Sequence, residues 1–219
     1  MGLTVAINQG AAETSADWLL IVNPDTRLPE GSIARLIETA ASDERIGCVG
    51  PWITSLDGSP YPTGRRFPSV GVGIVHAALG SVWKNNPATR TYFGDTGTAM
   101  TDVDWVSGSC MLFRRSAFDA IGGFDTRYFM YFEECDAQLR LHRAGWRVVL
   151  DPAAEVFHRE GGSTRHAPFR KVYNHHRSAL RFYCRYHDRD LWRLIQDRVI
   201  DLVRPALSCD DQSSIKIAE

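Results

Sequence analysis

The stretch Trp18-Leu-Leu-Ile-Val22, followed directly by Asn23-Pro24-Asp25-Thr26, decides the fold of this chain. Five consecutive apolar residues bounded by polar ones are typical of a strand buried on both faces, and such strands have parallel partners. Apolar residues at helical spacing then predict a helix over residues 30–41, and a second short strand is predicted over 48–50. Strand, helix and strand at this spacing predict an α/β fold.

The elements further along the chain are predicted from the same kinds of pattern. A strand or strand pair over residues 103–113 is broken at Ser107-Gly108-Ser109, and a helix over 116–121 ends at two glycines. A helix over 133–144 precedes a strand over 147–150, and residues 169–207 read as long helix in one or two pieces. Asp57-Gly58 marks a hairpin-like turn. Residues 59–101 are predicted to form long functional loops with a short helix near 70–80.

The composition excludes several classes of protein. The 219 residues are 44% hydrophobic and 23% charged, which excludes disorder, collagen and coiled coil and suits one sizeable core. No segment approaches the roughly 18 to 20 uncharged apolar residues that cross a bilayer, so we expect a soluble or peripheral protein on the cytosolic side. The five cysteines are widely spaced and odd in number, which favours free thiols over disulfides or a zinc knuckle.

Charge is unevenly distributed along the chain. Residues 1–158 carry 13 basic and 18 acidic residues, whereas residues 159–219 carry 12 basic and 8 acidic ones. The basic part includes five arginines at four-residue spacing, interleaved with aromatic residues: Arg177, Arg181, Arg185, Arg189 and Arg193. This stripe is either a solvated helix face or a contact with an anionic membrane surface. Nucleic acid fits less well, because the rest of the chain is acidic.

Asn23-Pro24-Asp25 lies at the carboxyl end of the first predicted strand, which is the edge where open α/β sheets bind ligands. A carboxylate there can hold Mg²⁺ or Mn²⁺ against a diphosphate. The alternative is ordinary turn chemistry, since all three residue types favour turns.

Three carboxylates open the helix predicted at residue 133: Glu133, Glu134 and Asp136, preceded by Tyr128-Phe-Met-Tyr-Phe132. Negative charge at a helix start is ordinary stabilisation. The aromatic lead-in favours a second interpretation, because partly desolvated carboxyls have raised pKa values and can act as general bases.

His158 follows a strand and precedes a glycine pair. A lone histidine is more often structural, but together with Asp25 it would form a mixed oxygen and nitrogen site that suits Mn²⁺ or Mg²⁺. The phosphate-loop, zinc-protease and serine-hydrolase motifs are absent, and Gly71-Val-Gly73 does not make a dinucleotide fingerprint.

Taken in order, these pieces resemble the family 2 inverting glycosyltransferases of the GT-A type. The resemblance runs from residue 2 to about 187 and includes Asp104–Arg115, Gly122-Gly-Phe-Asp125, Tyr128–Asp136 and Arg143-Ala-Gly-Trp146. Within the family the chain is similar to actinobacterial rhamnosyltransferases that act on polyprenyl-diphosphate-linked N-acetylglucosamine in cell-wall linker synthesis. That finer likeness is carried by Asp57–Pro62, by residues 65–68 and by His76–Gly80 with Trp83 and Asn86-Pro87.

The resemblance implies a role for each candidate residue. Asp25 and His158 would hold the metal ion, Mg²⁺ or Mn²⁺, and Glu134 would be the catalytic base in a position where the family usually has Asp. Glu133 and Asp136 would support that base. The residues implied to bind the donor or the acceptor are Asn8, Asn23, Arg65, Trp105 and Gly108.

The resemblance also implies how the chain is organised. We expect a Rossmann-like mixed sheet flanked by helices over residues 1–168, without the nucleotide-binding strands that precede residue 2 in the family. A basic helical extension over 169–207 and a disordered tail over 208–219 would follow. The implied function is inverting transfer of L-rhamnose from dTDP-rhamnose to the lipid-linked acceptor, at the inner face of the plasma membrane.

Two other functions stay open at this point. The chain could be a non-catalytic remnant that binds membrane or a partner glycosyltransferase through its basic tail. It could also be a family 2 transferase of another sugar, such as a hexose or galactofuranose.

Overall fold

A mixed β-sheet between two layers of helices forms the body of the protein. The structure is a computed structural model and describes residues 2–56, 58–61, 63–67, 99–158 and 168–186. The chain divides into two units, Met1–Ala179 and Leu180–Glu219. The domain boundaries expected at residues 168 and 207 stay predictions.

The main sheet has seven strands. Its central order is β1 (Trp18–Val22), β8 (Cys110–Arg114), β3 (Ile46–Ser55), β9 (Arg147–His158) and β2 (Thr26–Arg27). Two short strands extend it, because β4 (Pro60–Tyr61) pairs with β3 and β6 (Thr101–Asp102) pairs with β9. A separate ladder joins β5 (Gly64–Arg65) to β7 (Trp105–Val106).

Three strands of the main sheet run in the same direction, so their C-terminal ends lie at one edge of the sheet. β3 and β9 are parallel, and β8 runs antiparallel to both β1 and β3. β1 therefore runs in the same direction as β3 and β9. Their last residues, Val22, Ser55 and His158, consequently lie at the same edge, which we call the carboxyl edge.

Five helices are described: α1 (Leu3–Ala12), α2 (Ser32–Ala41), α3 (Arg115–Ala120), α4 (Glu133–Arg143) and α5 (Pro168–Tyr186). α3 and α4 are followed by glycines with positive φ angles, Gly122 and Gly123 after α3 and Gly145 after α4. Glycine adopts this left-handed conformation at no steric cost, so these helices end where the sequence predicts.

The core lies on both faces of the sheet, because successive strand residues point to opposite sides. In β8, Met111 and Phe113 join one buried cluster, and Cys110 and Leu112 join the other. The first cluster is covered by residues of α1, α3 and α4, and the second by Leu36 of α2 and its neighbours. This arrangement is a three-layer α/β/α fold, as the sequence predicts.

The first strand differs from its prediction. β1 forms at the predicted residues, and both of its faces contact the core, but its described partner, β8, is antiparallel rather than parallel. β1 also stands at the end of the strand order, where only Leu19 among its five residues is buried. A run of apolar residues fits this position because each face of β1 packs partly against one of the two buried clusters.

Other predictions are confirmed with changed lengths. The strands predicted over 48–50 and 147–150 extend to ten and twelve residues, and the hairpin turn joins β3 to β4 with Gly58 in the left-handed conformation. Helix α1 was not predicted. Cys48, Cys110, Cys135 and Cys184 are buried thiols that form no disulfide, as expected. The helix expected near 70–80 lies outside the described residues.

The predicted C-terminal helix is described in its first part only. α5 contains Arg177, Arg181 and Arg185, whereas Arg189 and Arg193 lie outside the described residues. Of the helices in the described ranges, none combines the length and apolar composition that crossing a bilayer requires.

Candidate functional site

The carboxyl edge brings Asp25 and His158 together. β1 ends at Val22, the chain turns through Asn23 and Asp25, and β2 then pairs Thr26 with His158 at the end of β9. The backbone N–H of Asn23 donates to the Ser109 carbonyl at 3.0 Å, which fixes the turn against the start of β8. The predicted neighbourhood of Asp25 and His158 therefore follows from strand pairing.

The contact between Asp25 and His158 suits two ligands of one metal ion. Asp25 Oδ1 lies 3.2 Å from His158 Nε2, yet both ring nitrogens are buried without a hydrogen-bond partner. Two ligands each about 2.1 Å from one Mg²⁺ ion, and at right angles, lie about 3.0 Å apart. No group of three histidine, cysteine or acidic residues suited to a metal ion occurs within the described ranges.

A stack of aromatic and basic side chains lies beside this pair. The Tyr61 ring is 6.0 Å from the His158 ring in an edge-to-face arrangement, and Arg65 donates a hydrogen bond to the Tyr61 hydroxyl at 3.0 Å. The Arg65 guanidinium lies 4.8 Å from the centre of the Trp105 ring, across the β5–β7 ladder. Trp105 is itself anchored, because its indole N–H donates to the Arg66 carbonyl at 3.0 Å.

Glu134 lies against the turn that follows Trp105. A Cβ atom placed on Gly108 would lie 3.5 Å from the Glu134 carboxyl carbon, so glycine leaves a space one methyl group wide beside the carboxyl. One oxygen each of Glu133 and Glu134 is buried without a hydrogen-bond partner. Each carboxyl thus keeps one oxygen to which the described part of the chain supplies no hydrogen bond.

Burial raises the pKa of both carboxyls. For Glu133 the neighbouring charge of Glu134 raises it further. For Glu134 the positive charge of Arg65 opposes the rise. A carboxyl whose pKa lies closer to neutral pH is better suited to accept a proton from an alcohol.

An unusual backbone conformation directs these carboxyls. Tyr131 and Phe132, just before α4, have φ angles of 70° and 64°, which non-glycine residues rarely adopt. Helix α5 supports the segment: the ring of His175 lies 5.5 Å from each of their rings, and the Ser178 hydroxyl donates to the Met130 carbonyl at 2.8 Å. Sequence patterns do not signal this turn, since aromatic residues ordinarily avoid it.

Two of the predicted site residues have other bonds. Asp136 is fully buried, and Arg140 donates to its carboxylate at 2.8 Å and to the carbonyl oxygens of Ile121 and Gly123. The amide of Asn8 bonds both the N–H and the carbonyl of Phe124. Asp136 and Asn8 thus fix the chain around residues 121–124.

Two further residues of the site escaped prediction. Tyr61 links His158 to Arg65, and it lies in the stretch Asp57–Pro62 that carries the finer family likeness, although no role was assigned to it. Gln138 has a fully buried side chain on α4. A polar residue among apolar ones on the inward face of a helix is the signal that could have found it, because buried amides need partners.

Comparisons with known proteins identify relatives of the whole described body. The family model described as "Glycosyltransferase like family 2" matches residues 2–191. An N-acetylglucosaminyl-diphospho-decaprenol L-rhamnosyltransferase of Mycobacterium tuberculosis is 43% identical over 178 residues, which cover 81% of this chain and 58% of that protein. The rhamnosyltransferase WbbL of Escherichia coli is 37% identical over 143 residues, covering 65% of this chain and 52% of the relative.

A solved structure shares the fold. The mannosyltransferase of Pyrobaculum calidifontis in complex with GDP-mannose and Mn²⁺ matches with a TM-score of 0.50 and 15% identity, over 84% of this chain and 44% of the other. This likeness confirms the GT-A fold class expected from the sequence. The chain spans between half and three fifths of the length of the two bacterial relatives.

Proposed function

The chain belongs to family 2 of the glycosyltransferases, and on that premise we propose that it forms the catalytic part of an enzyme transferring a sugar from a nucleotide-sugar donor with inversion. The observation that carries the proposal is that the carboxyl edge holds both the Asp25–His158 pair and Glu134, which has one buried carboxyl oxygen without a hydrogen-bond partner. A metal-type pair and a base are the two groups that such a transfer needs.

We propose L-rhamnose from dTDP-rhamnose as the sugar and a polyprenyl-diphosphate-linked N-acetylglucosamine as the acceptor. Support comes from the 43% identity with the mycobacterial protein, whose name states a rhamnosyltransferase and a decaprenyl-diphosphate-linked substrate. That identity extends over 81% of this chain, which is more than any single motif supplies.

Asp25 and His158 would hold a divalent cation, Mg²⁺ or Mn²⁺, which when bound neutralises charge on the departing nucleoside diphosphate. Asn23, in the same turn, would contact the donor. The buried, unpartnered ring nitrogens of His158 support this assignment, because a structural histidine in that position would ordinarily be hydrogen-bonded. Arg65 supplies a second positive charge to the same pocket.

Glu134 would accept the proton of the acceptor hydroxyl as that oxygen displaces the nucleoside diphosphate. The space beside Gly108 would admit the hydroxyl, and Trp105 would form the wall against which the acceptor sugar rests. Glu133 would support Glu134 from the same buried environment, where the charge of Glu134 raises the pKa of Glu133, whereas Asp136 acts through Arg140 on the surrounding backbone.

The acceptor would reach this site from the membrane. We propose that the protein is peripheral at the inner face of the plasma membrane and that the arginine stripe of α5 and the residues beyond it contact anionic lipid. The exposed side chain of Arg177 supports this contact.

The proposal is tested by incubating the full chain with labelled dTDP-rhamnose, Mn²⁺ and vesicles carrying the N-acetylglucosamine lipid. Label is expected in the lipid fraction, dependent on divalent cation. UDP-hexoses and UDP-galactofuranose serve as competing donors. Transfer from one of these alone would replace the sugar assignment. No transfer from any donor, together with vesicle binding, would indicate a non-catalytic membrane-binding protein.

A further inference from the structure

The side chain of Gln138 pairs with the backbone of Val106 as a neighbouring strand would. Its Oε1 accepts a hydrogen bond from the Val106 N–H at 2.7 Å, and its Nε2 donates to the Val106 carbonyl at 2.9 Å. Gln138 is 0% exposed, so both bonds form in a buried environment where an unpaired amide is costly. One side chain thus ties helix α4 to strand β7 through two bonds.

The residues on either side of β7 donate hydrogen bonds to the β5 segment instead. The N–H of Asp104 donates to the Arg65 carbonyl at 3.2 Å, and the N–H of Ser107 donates to the Thr63 carbonyl at 3.0 Å. The β5 segment therefore holds one side of β7, and Gln138 holds the other through Val106.

The side chain of Val106 is fixed as well. A Cβ atom on Gly50 of β3 would lie 2.6 Å from the Val106 Cβ, closer than real side chains approach. Glycine at position 50 is therefore what allows Val106 to pack directly on the central sheet. With backbone and side chain both held, Val106 is a fixed point between Trp105 and the turn that contains Gly108.

Glu134 lies on the same helix face as Gln138, because residues four apart are neighbours on a helix surface. His142, four residues further, continues the row, and its Nε2 lies 2.9 Å from the Asp104 carbonyl oxygen. This row of contacts fixes the position of Glu134, the candidate base, relative to the turn that contains Gly108.

We propose that Gln138 is a positioning residue, which sets the distance between the Glu134 carboxyl and the wall formed by Trp105 and Gly108. The inference rests on the proposed function, since it gives the distance a catalytic meaning. Misplacing a reacting group by about 1 Å can lower a rate on the order of a hundredfold.

Two variants test the inference. Gln138→Met keeps a long side chain and removes both bonds to Val106, together with the bond from Nε2 to Met111 Sδ. Gln138→Glu loses the donor when ionised, but when protonated it again offers one donor and one acceptor. Thr39→Val is the matched control, because it removes a buried side-chain hydrogen bond to Asp151 between α2 and β9, away from the pocket.

The measurements are the single-turnover rate, the donor affinity and the NMR titration of the Glu134 carboxyl in full-length protein with ¹³C-labelled glutamate. For Gln138→Met we expect a rate about 10- to 100-fold lower, an unchanged donor affinity and a Glu134 titration at lower pH, as water enters. For Gln138→Glu the loss should shrink as pH falls. Thr39→Val should match the wild type in all three.

The possible outcomes separate the two proposals. A wild-type rate and titration in Gln138→Met would overturn the positioning role. The wild type could instead transfer no sugar while Glu134 titrates at lower pH in Gln138→Met than in the wild type. That result would support the positioning role and overturn the proposed function.

Discussion

Charged side chains are paired with one another at the amino ends of β3 and β9, whereas several buried polar atoms lack a hydrogen-bond partner at the carboxyl edge. At the amino ends, Arg147 donates to Asp43 and to Asp102 at 2.7 Å, and Arg45 donates to Asp43 at 3.0 Å. Hydrogen bonds from Arg45 hold the pKa of Asp43 well below its usual range. This cluster is partly exposed and electrostatically satisfied.

The carboxyl edge has the opposite character. Glu133, Glu134 and His158 each keep a buried polar atom without a hydrogen-bond partner, and burial raises the pKa of both glutamates. Buried polar groups cost stability unless they are bonded. The same sheet is therefore optimised for folding at one end and holds uncompensated groups at the other, as expected where a ligand completes the bonding.

The largest effect on donor binding should come from the metal-type pair. Replacing His158 with Ala removes one of two adjacent ligand atoms, so we expect donor affinity in the presence of Mn²⁺ to fall about 100-fold or more, with Asp25→Ala similar. Calorimetric titration of the nucleotide sugar, with and without Mn²⁺, measures the effect. Equal Mn²⁺-dependent affinity in wild type and His158→Ala would remove the pair from the donor site.

A smaller effect is expected from filling the space beside Glu134. Gly108→Ala places a methyl group 3.5 Å from the Glu134 carboxyl carbon, where the acceptor hydroxyl would sit. We expect the acceptor KM to rise, with kcat/KM about tenfold lower and donor affinity unchanged. Gly10→Ala is the control, since a Cβ there meets nothing within 4 Å. Equal kcat/KM in the two variants would place the acceptor elsewhere.

The raised pKa values predict a pH dependence of stability. Above the ordinary glutamate pKa of 4.5 the folded state holds protons that the unfolded state has lost, so the free energy of unfolding falls as pH rises. Between pH 5 and pH 8 the wild type should lose on the order of 10 °C more in Tm than Glu133→Gln. Thermal unfolding at the two pH values checks this. Equal losses of Tm in the wild type and Glu133→Gln would mean that burial does not raise the pKa of Glu133.

The smallest effect is predicted at the amino ends. Asp43→Asn keeps an acceptor for the arginines, and the lowered pKa of Asp43 means that this group is ionised in both the folded and unfolded states from pH 5 to 8. We expect an unchanged transfer rate and a Tm within about 2 °C of the wild type. A large loss of activity would contradict the division between the two ends.

The fold was predictable from the sequence where periodicity is strong. The helix near Leu36, the strand pair broken at Ser107-Gly108-Ser109 and the glycine-terminated helices appear at the predicted places. The antiparallel partner of β1 was not predictable, since a continuous apolar run specifies burial but not the direction of its neighbour. Helix α1 carries a mixed pattern with two described buried residues, Thr4 and Ala11, which gives little periodic signal.

The sequence predicted which residue types form the site and in what order, but not most of the contacts between them. Asp25 follows directly after the first predicted strand, which predicted its place at the carboxyl edge. The aromatic residues before Glu134 indicated that its carboxyl is desolvated. The sequence could not distinguish Asp136 from its neighbours, because its bonding to Arg140 depends on helix spacing and on the carbonyls at residues 121 and 123. Gln138 bonds to Val106, and Tyr61 contacts His158. In both cases the partner is more than 30 residues away along the chain, so local sequence patterns do not report the contact.

The most direct test of the account is the single-turnover transfer rate of Glu134→Gln, with donor affinity measured in the same sample. Glutamine keeps the shape of the side chain and cannot accept the proton. The account predicts a rate lower by about 1,000-fold, an unchanged donor affinity and an equal or higher Tm, since a buried unpartnered carboxyl is removed. A variant that binds donor and transfers sugar at the wild-type rate would contradict Glu134 as the base.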